Sequence, residues 1–260
     1  MGKPRPMRER RGVAFTIAVS VLKPLLWLFT RPHWVGGAKI PAEGGAVIAA
    51  NHVSHADPVT FAHLVWDHGR LPRFLAKAVL FDVALVGWVL RSSGQIPVYR
   101  LTTDAAQAFR AAVAAVRKGQ VVIVYPEGTI TRDPDLWPMR GRTGAARIAL
   151  TAGVPVIPVA QWGAQDLLYP YAKKPDLLPP TKVYARVGDP VDLDDLRGKP
   201  MTHDVLVEAT ERIMAAITRE LEEIRGEKGP AVRFDPRTSG LRQIGNPHGP
   251  EPRERRRRRR

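Results

Sequence analysis

The sequence predicts an α/β fold: a mostly parallel or mixed central sheet flanked by helices, preceded by an N-terminal membrane-associated helix or helical hairpin. Three observations predict it. Short runs rich in β-branched residues alternate with longer segments of helical periodicity. Several runs, among them "AVIAA", "QVVIVY" and "VPVIPVA", are apolar throughout and so suit strands covered on both faces. The most hydrophobic stretch, residues 13–30, stands apart from this alternation, near the N-terminus.

That stretch, "VAFTIAVSVLKPLLWLFT", is interrupted by Lys23 and Pro24. It is at the short limit for a span of about 20 apolar residues. Basic residues precede it, as in a signal peptide, but no Ala-x-Ala cleavage site follows at a suitable distance. The reading favoured is a monotopic helix or hairpin in one leaflet, with Trp27 and Trp34 near the headgroups; a core helix is the alternative. Strands are expected at 45–50, 73–77, 94–100, 120–125, 154–160 and 182–188. Helices are expected at 58–68, 80–92, 103–117, 143–152 and 203–225. Thr102 or Thr103 starts one helix, and Gly119, Gly153 and Gly226 end three of them. The organisation expected is residues 1–35 as a basic N-terminus with the membrane helix, 36–225 as one α/β domain, and 226–260 as a disordered Arg-rich tail.

Composition narrows the chemistry. The chain has no cysteine, which excludes disulfides, thiolate metal sites and a cysteine nucleophile. Its seven histidines show no paired metal-ligand spacing, so no metal is expected. The net charge of +15 sits mainly in the ends. Residues 1–12 hold five Lys/Arg and one acid, and residues 226–260 hold eleven and four, whereas the 213 residues between hold 24 and 20. A polycationic tail is attracted to anionic lipid headgroups, at about 1 kcal/mol per basic residue near the surface. No aromatic–basic interleaving supports a specific nucleic-acid partner. A basic membrane or nucleic-acid adaptor without catalytic activity is the competing class, and it would place function in the tails.

Polar clusters recur at predicted strand ends: "NHVSHAD" after 45–50, "YR" at 99–100 and "PEGT" after 120–125. In such sheets ligands gather at the carboxyl ends of strands. There is no G-x-G-x-x-G, no Walker loop and no G-x-S-x-G elbow around any of the five serines. What remains is a histidine base with a carboxylate to orient it, His52 and Asp57. Residues five apart on a continuous helix point about 140° apart, so the pair needs a turn to meet. The strand–turn–helix reading supplies that turn. A second reading is purely structural: Asp57 as N-cap and Pro58 as first helical residue. Arg100 suits an anionic group, or is a surface arginine; Glu127 and Arg132 flank a sharp Pro-Glu-Gly turn that is ordinary in itself. Residues 143–152 open a helix whose first N–H groups can bind phosphate, with Thr143 as a plain cap the alternative.

In order, "NHVSHAD", "GQIPVYR", "YPEGT" and "VPVIPV" resemble the glycerolipid acyltransferase family with the H-x4-D motif, most of all bacterial 1-acylglycerol-3-phosphate acyltransferases. The resemblance covers roughly residues 40–165. It implies acyl transfer from a thioester, acyl-CoA or acyl-carrier protein as co-substrate, to a lysophospholipid hydroxyl. His52 would be general base and Asp57 its partner. Arg100 would bind the acceptor's phosphate, and Glu127, Gly128 and Thr129 the acceptor; no cofactor is implied. "VPVIPV" would be a structural strand near the donor. The expected location is the cytoplasmic face of the cell membrane, peripheral or monotopic, beside anionic headgroups. Where relatives commonly follow Glu-Gly-Thr with Arg-Ser, this chain has Ile130 and Thr131, and Arg132 comes later. That departure keeps another lysophospholipid or a glycolipid hydroxyl open as acceptor. Arg142 stands where many relatives have Lys.

Overall fold

A computed structural model describes residues 5–7, 9, 11–98, 105–172, 174–240, 246 and 247. The chain opens with helix α1 (Val13–Phe29), which runs directly into strand β1 (Thr30–Val35). Next come β2 (Ala46–Ala50), α2 (Asp57–Asp67), β3 (Leu75–Lys77) and α3 (Ala84–Ser92). They are followed by β4 (Ile96–Val98), α4 (Ala105–Arg117), β5 (Val121–Val124) and α5 (Gly144–Ala152). The chain continues through β6 (Val156–Trp162), α6 (Ala164–Leu167) and β7 (Thr181–Val187) to α7 (His203–Arg225).

Five strands form one mixed sheet in the order β1-β7-β6-β2-β5. The pairs β1–β7, β6–β2 and β2–β5 are parallel, and β6–β7 is antiparallel. A small parallel pair, β3–β4, joins β5 through a bridge from Phe74 to Ile123. Alternate residues of the central strands feed two cores. Val47, Ala49, Val122, Val124 and Val156 pack with Ala112, Ala146, Ile213 and Met214 from α4, α5 and α7. Ile48, Ile123, Ile157 and Val159 pack with Phe61, Leu64 and Val65 of α2. Both faces are covered, which is why these strands read as unbroken apolar runs.

Several expectations change. Strand β1, which contains Pro32, is not among the strands expected from the sequence. Proline is tolerated here because β1 lies at the sheet's edge. The N-terminal unit therefore does not end before the α/β domain: β1 belongs to that sheet. A helical hairpin is not formed, since α1 is one helix followed by a strand. Trp34 is half-buried; its Nε1–H donates to Asp67 at 3.2 Å and its ring meets His63 edge-on. The helix expected at 80–92 divides into a 3-10 turn (Ala78–Asp82) and α3. The tail expected from 226 onward begins as seated chain: the Arg140 N–H donates to the Phe234 carbonyl at 3.0 Å. Apart from residues 246 and 247, the part beyond 240 lies outside the described residues.

Helix α1 has 17 residues, about 26 Å at 1.5 Å per residue, against about 30 Å of hydrocarbon. No helix among the described residues is long and apolar enough to cross a membrane. Its outer face is nonetheless apolar: Val13, Ile17, Val21, Leu25 and Leu28 recur at helical spacing and are all exposed. Val83, Leu85 and Trp88 extend that apolar surface onto α3 and the turn before it.

Candidate active site

His52 lies in the turn after β2, and Asp57 is the first residue of α2. The turn brings them together: His52 Nδ1 is 2.7 Å from Asp57 Oδ2. A carboxylate only accepts, so Nδ1 carries the proton and Nε2 is the basic nitrogen. The same Oδ2 accepts the N–H groups of Val53 at 2.6 Å and Ser54 at 2.9 Å. Asp57 is fully buried. It does not act as the N-cap: Ala56 holds that place, and the carboxylate turns back onto the loop rather than forward onto the helix. The His52 ring is 15% exposed, and its Nε2 makes no hydrogen bond among the described residues. His55 in the same motif has no such carboxylate partner; burial, helped by the nearby Lys77 charge, holds it below the usual histidine range.

The Pro-Glu-Gly turn after β5 forms the opposite wall. Tyr125 stacks on His52, ring centroids 4.3 Å apart and planes 15° from parallel. Burial pushes the Tyr125 phenol well above its usual range, with the Asp57 charge adding to it. Glu127 is buried and spans the site from below. One oxygen accepts the His52 N–H at 2.9 Å and the other the Met139 N–H at 3.0 Å. Burial raises the Glu127 carboxyl to about 8 despite these two N–H groups, which pull it down. The Thr131 N–H donates to the His52 carbonyl at 2.7 Å, so the His52 main chain is bonded on both sides to this segment.

Gly128 takes φ +72°, and a side chain there would meet Arg142 Nε at 2.9 Å. The Arg142 guanidinium therefore lies over the glycine, at the mouth of the turn. Thr129 is half-buried beside it, and Ile130 and Thr131 are buried. Arg132 is also buried, with its N–H toward the Met139 sulfur at 3.1 Å. Of the residues read from the sequence, His52, Asp57, Glu127, Gly128, Thr129 and Arg132 thus gather in one region. Arg100 lies outside the described residues, two positions past the end of β4.

Sequence reasoning missed the supports. Asn51 and Gln161 pair reciprocally: Asn51 Nδ2 donates to the Gln161 carbonyl, and the Gln161 N–H and Nε2 donate to Asn51 oxygens at 2.8 and 2.7 Å. This ties the end of β2 to β6 where the His52–Asp57 turn begins. Ser54 Oγ–H reaches the Leu168 carbonyl at 2.5 Å. The one available signal was that "NH" and "QW" end neighbouring apolar runs. Among the described residues no group of three His, Asp or Glu side chains is placed to hold a metal ion.

An apolar groove of about 210 Å³ lies among α1, α2 and α3; His52 and Asp57 do not line it, but Pro58 and Val59, the two residues after Asp57, do. Phe15, stacked on Trp66, lines it as well. Leu22 of α1 and Leu90 of α3 form its sides.

The acyltransferase family model matches residues 32–162, which contain His52, Asp57, Arg100, Glu127, Gly128, Thr129 and Arg132. The chain belongs to the acyltransferase family. Within it, the chain is 30% identical to a chloroplastic 1-acyl-sn-glycerol-3-phosphate acyltransferase of Brassica napus, over 62% of this chain and 46% of that protein. It is 28% identical to the 1-acyl-sn-glycerol-3-phosphate acyltransferase of Bacillus subtilis, over 80% and 96%. It is 32% identical to the lyso-ornithine lipid O-acyltransferase of Pseudomonas aeruginosa, over 50% and 49%. The chain spans about half the length of the Brassica relative. The crystal structure of the acyltransferase PlsC from Thermotoga maritima superposes with a TM-score of 0.59, at 26% identity and 86% coverage of both chains.

Proposed function

We propose that this chain moves a fatty acyl group from a thioester donor, acyl-CoA or acyl-carrier protein, to the free hydroxyl of a lysophospholipid. The reading favoured for the acceptor is 1-acylglycerol-3-phosphate, giving phosphatidic acid. One observation carries the proposal: His52 Nδ1 and Asp57 Oδ2 stand 2.7 Å apart with the second histidine nitrogen open, and α2, which Asp57 begins, also lines an apolar groove. His52 Nε2 takes the proton from the acceptor hydroxyl as its oxygen attacks the thioester carbon. The C–S bond then breaks, and the sulfur leaves with the proton that His52 carries, so no acyl-enzyme forms. Asp57 holds the ring's tautomer and stabilises the imidazolium between these steps. The groove suits the acyl chain, and Arg100 and Arg132 are the cations proposed for the acceptor's phosphate, beside Glu127, Gly128 and Thr129. The exposed apolar faces of α1 and α3 suit a monotopic seat in a leaflet, which would deliver both lipids to the cleft without crossing water.

A second acceptor is favoured by a specific feature. Ile130, buried, stands where relatives commonly place an arginine, so one cation near the acceptor is gone. A lysolipid with a head group other than a phosphate monoester fits that loss. The deciding experiment offers a panel of lysolipids with acyl-CoA to the wild type and His52→Ala and reads the products by mass spectrometry. Product from lysophosphatidic acid alone supports the first reading, product from another lysolipid the second. Product that persists in His52→Ala removes the base assignment.

A further inference from the structure

The segment after Glu-Gly-Thr is held in place from outside the catalytic turn. Residues 131–142 contain no helix or strand, yet both bonds to the His52 main chain depend on them. Thr131 donates its N–H to the His52 carbonyl, and its hydroxyl donates to the Trp137 carbonyl at 2.7 Å. Met139 supplies the N–H that holds the far oxygen of Glu127. What seats this loop is the end of α7. The Arg225 guanidinium lies between two indoles, 4.1 Å from the Trp137 ring centre and 4.5 Å from that of Trp162. Its Nη1 also donates to the Asp135 carbonyl at 2.7 Å. Trp162 is the last residue of β6, so the sandwich fastens the loop to the central sheet. The chain beyond α7 adds to the clasp. Arg140 bonds the Phe234 carbonyl through its N–H and Asp235 through its guanidinium at 3.1 Å. A side chain at Gly229 would come within 3.4 Å of the Trp137 ring.

We propose that Arg225 is a positioning residue for acyl transfer: through Trp137 it fixes the 131–142 loop, and through Glu127 and Thr131 the loop fixes the main chain of His52. The inference rests on the reading of His52 as the base. It assigns a role in the reaction to chain that lies beyond the 32–162 region matching the family. Lysine at 225 would keep the charge over the rings but lose the planar stack and the fork that reaches Asp135.

The test compares Arg225→Ala, Arg225→Lys, Glu127→Gln and the Arg225→Ala/Glu127→Gln double variant. Arg212→Ala is the control, because Arg212 pairs with Asp195 and Glu208 on the exposed side of the same helix. Turnover is measured per folded molecule, well below each melting temperature. Arg225→Ala should lower kcat about tenfold, since small misplacements of a reacting group are costly. The KM of both substrates should stay within about twofold, with part of kcat recovered in Arg225→Lys. On the Glu127→Gln background the same change should cost clearly less than about tenfold more, because part of its effect runs through Glu127 and the rest through Thr131. Arg212→Ala should turn over normally. Hydrogen exchange at the Met139 and His52 amides should quicken in Arg225→Ala, relative to the core strands. Unchanged kcat per folded molecule, a full tenfold loss added to that of Glu127→Gln, or unchanged exchange at both amides would overturn the proposal. If Arg225→Ala does not fold, Arg225→Lys and Trp137→Phe carry the same readings. If the wild type transfers no acyl group, the proposed function fails, and exchange at the two amides decides the clasp by itself.

Discussion

Asp57→Asn changes one charge and almost no volume, at the residue on which the catalytic turn closes. Asp57 Oδ2 collects three N–H groups: His52 Nδ1 and the amides of Val53 and Ser54. An asparagine carbonyl oxygen in that place still accepts from the two amides. Its NH2 falls where Oδ1 is now, a buried position that holds no hydrogen bond among the described residues. A bond to a charged acceptor contributes about 1.5–3 kcal/mol and a neutral one about 1 kcal/mol. Weakening the two amide bonds therefore costs roughly 1–4 kcal/mol, and no longer burying a carboxylate offsets part of that. A net loss of about 1–2 kcal/mol leaves the protein folded. Turnover is another matter. Asparagine carries no charge to stabilise an imidazolium. The corresponding change in a serine-protease triad lowers kcat by about 10⁴. Here the loss should be at least about a hundredfold, the low end of general acid–base effects. His52→Ala should be as damaging, and the double variant hardly worse, because the two groups act as one unit. The assay is acyl transfer beside a thermal melt for each variant. A folded Asp57→Asn protein with near-normal turnover would refute the mechanism and leave Asp57 as a tie that shapes the turn.

Three further outcomes are expected. Glu127 has its folded-state carboxyl raised from 4.5 to about 8, so the folded protein holds that proton more tightly than the unfolded chain; stability present below pH 4.5 should decline as the pH rises through 8. Denaturant melts across that window should show a shallower decline in Glu127→Gln, and parallel curves would mean that Glu127 does not hold a proton there. The exposed apolar stripe of α1 should keep the protein on membranes through a high-salt wash, because salt screens charge and not hydrophobic burial; full release by salt would show that only the basic ends attach it. Arg100→Ala should raise the KM for the acceptor far more than that for the donor; equal effects, or none, would return Arg100 to an ordinary surface charge.

The meeting of His52 with Asp57 was legible because the two lie close in sequence. His52 and Asp57 are separated by one turn, and a turn's reach is set by local geometry. Glu127, Gly128 and Thr129 likewise follow a strand whose apolar run marks its end. The roles of these side chains were less legible. Asp and Pro at a helix start look like a cap, and only the folded turn shows the carboxylate bonding backward to residues 52–54. Glu127 looked like a ligand-facing acid, and it is buried with both oxygens on main-chain N–H groups. Its partners, His52 and Met139, sit 75 and 12 residues away.

By itself, the sequence determined the alternation of strands and helices, the double-sided burial of the sheet and the placing of polar clusters at strand ends. Each of these follows from side-chain periodicity along a short window, and that pattern decides which face must leave water. Tertiary structure alone decided that β1 joins the sheet's edge despite Pro32. It likewise decided that α1, α2 and α3 enclose an apolar groove, and that Arg225 reaches the loop behind Glu127. Those features depend on residues far apart in the chain meeting in space. No window of sequence contains both partners, so burial, hydrogen-bond satisfaction and close packing in the folded chain select them.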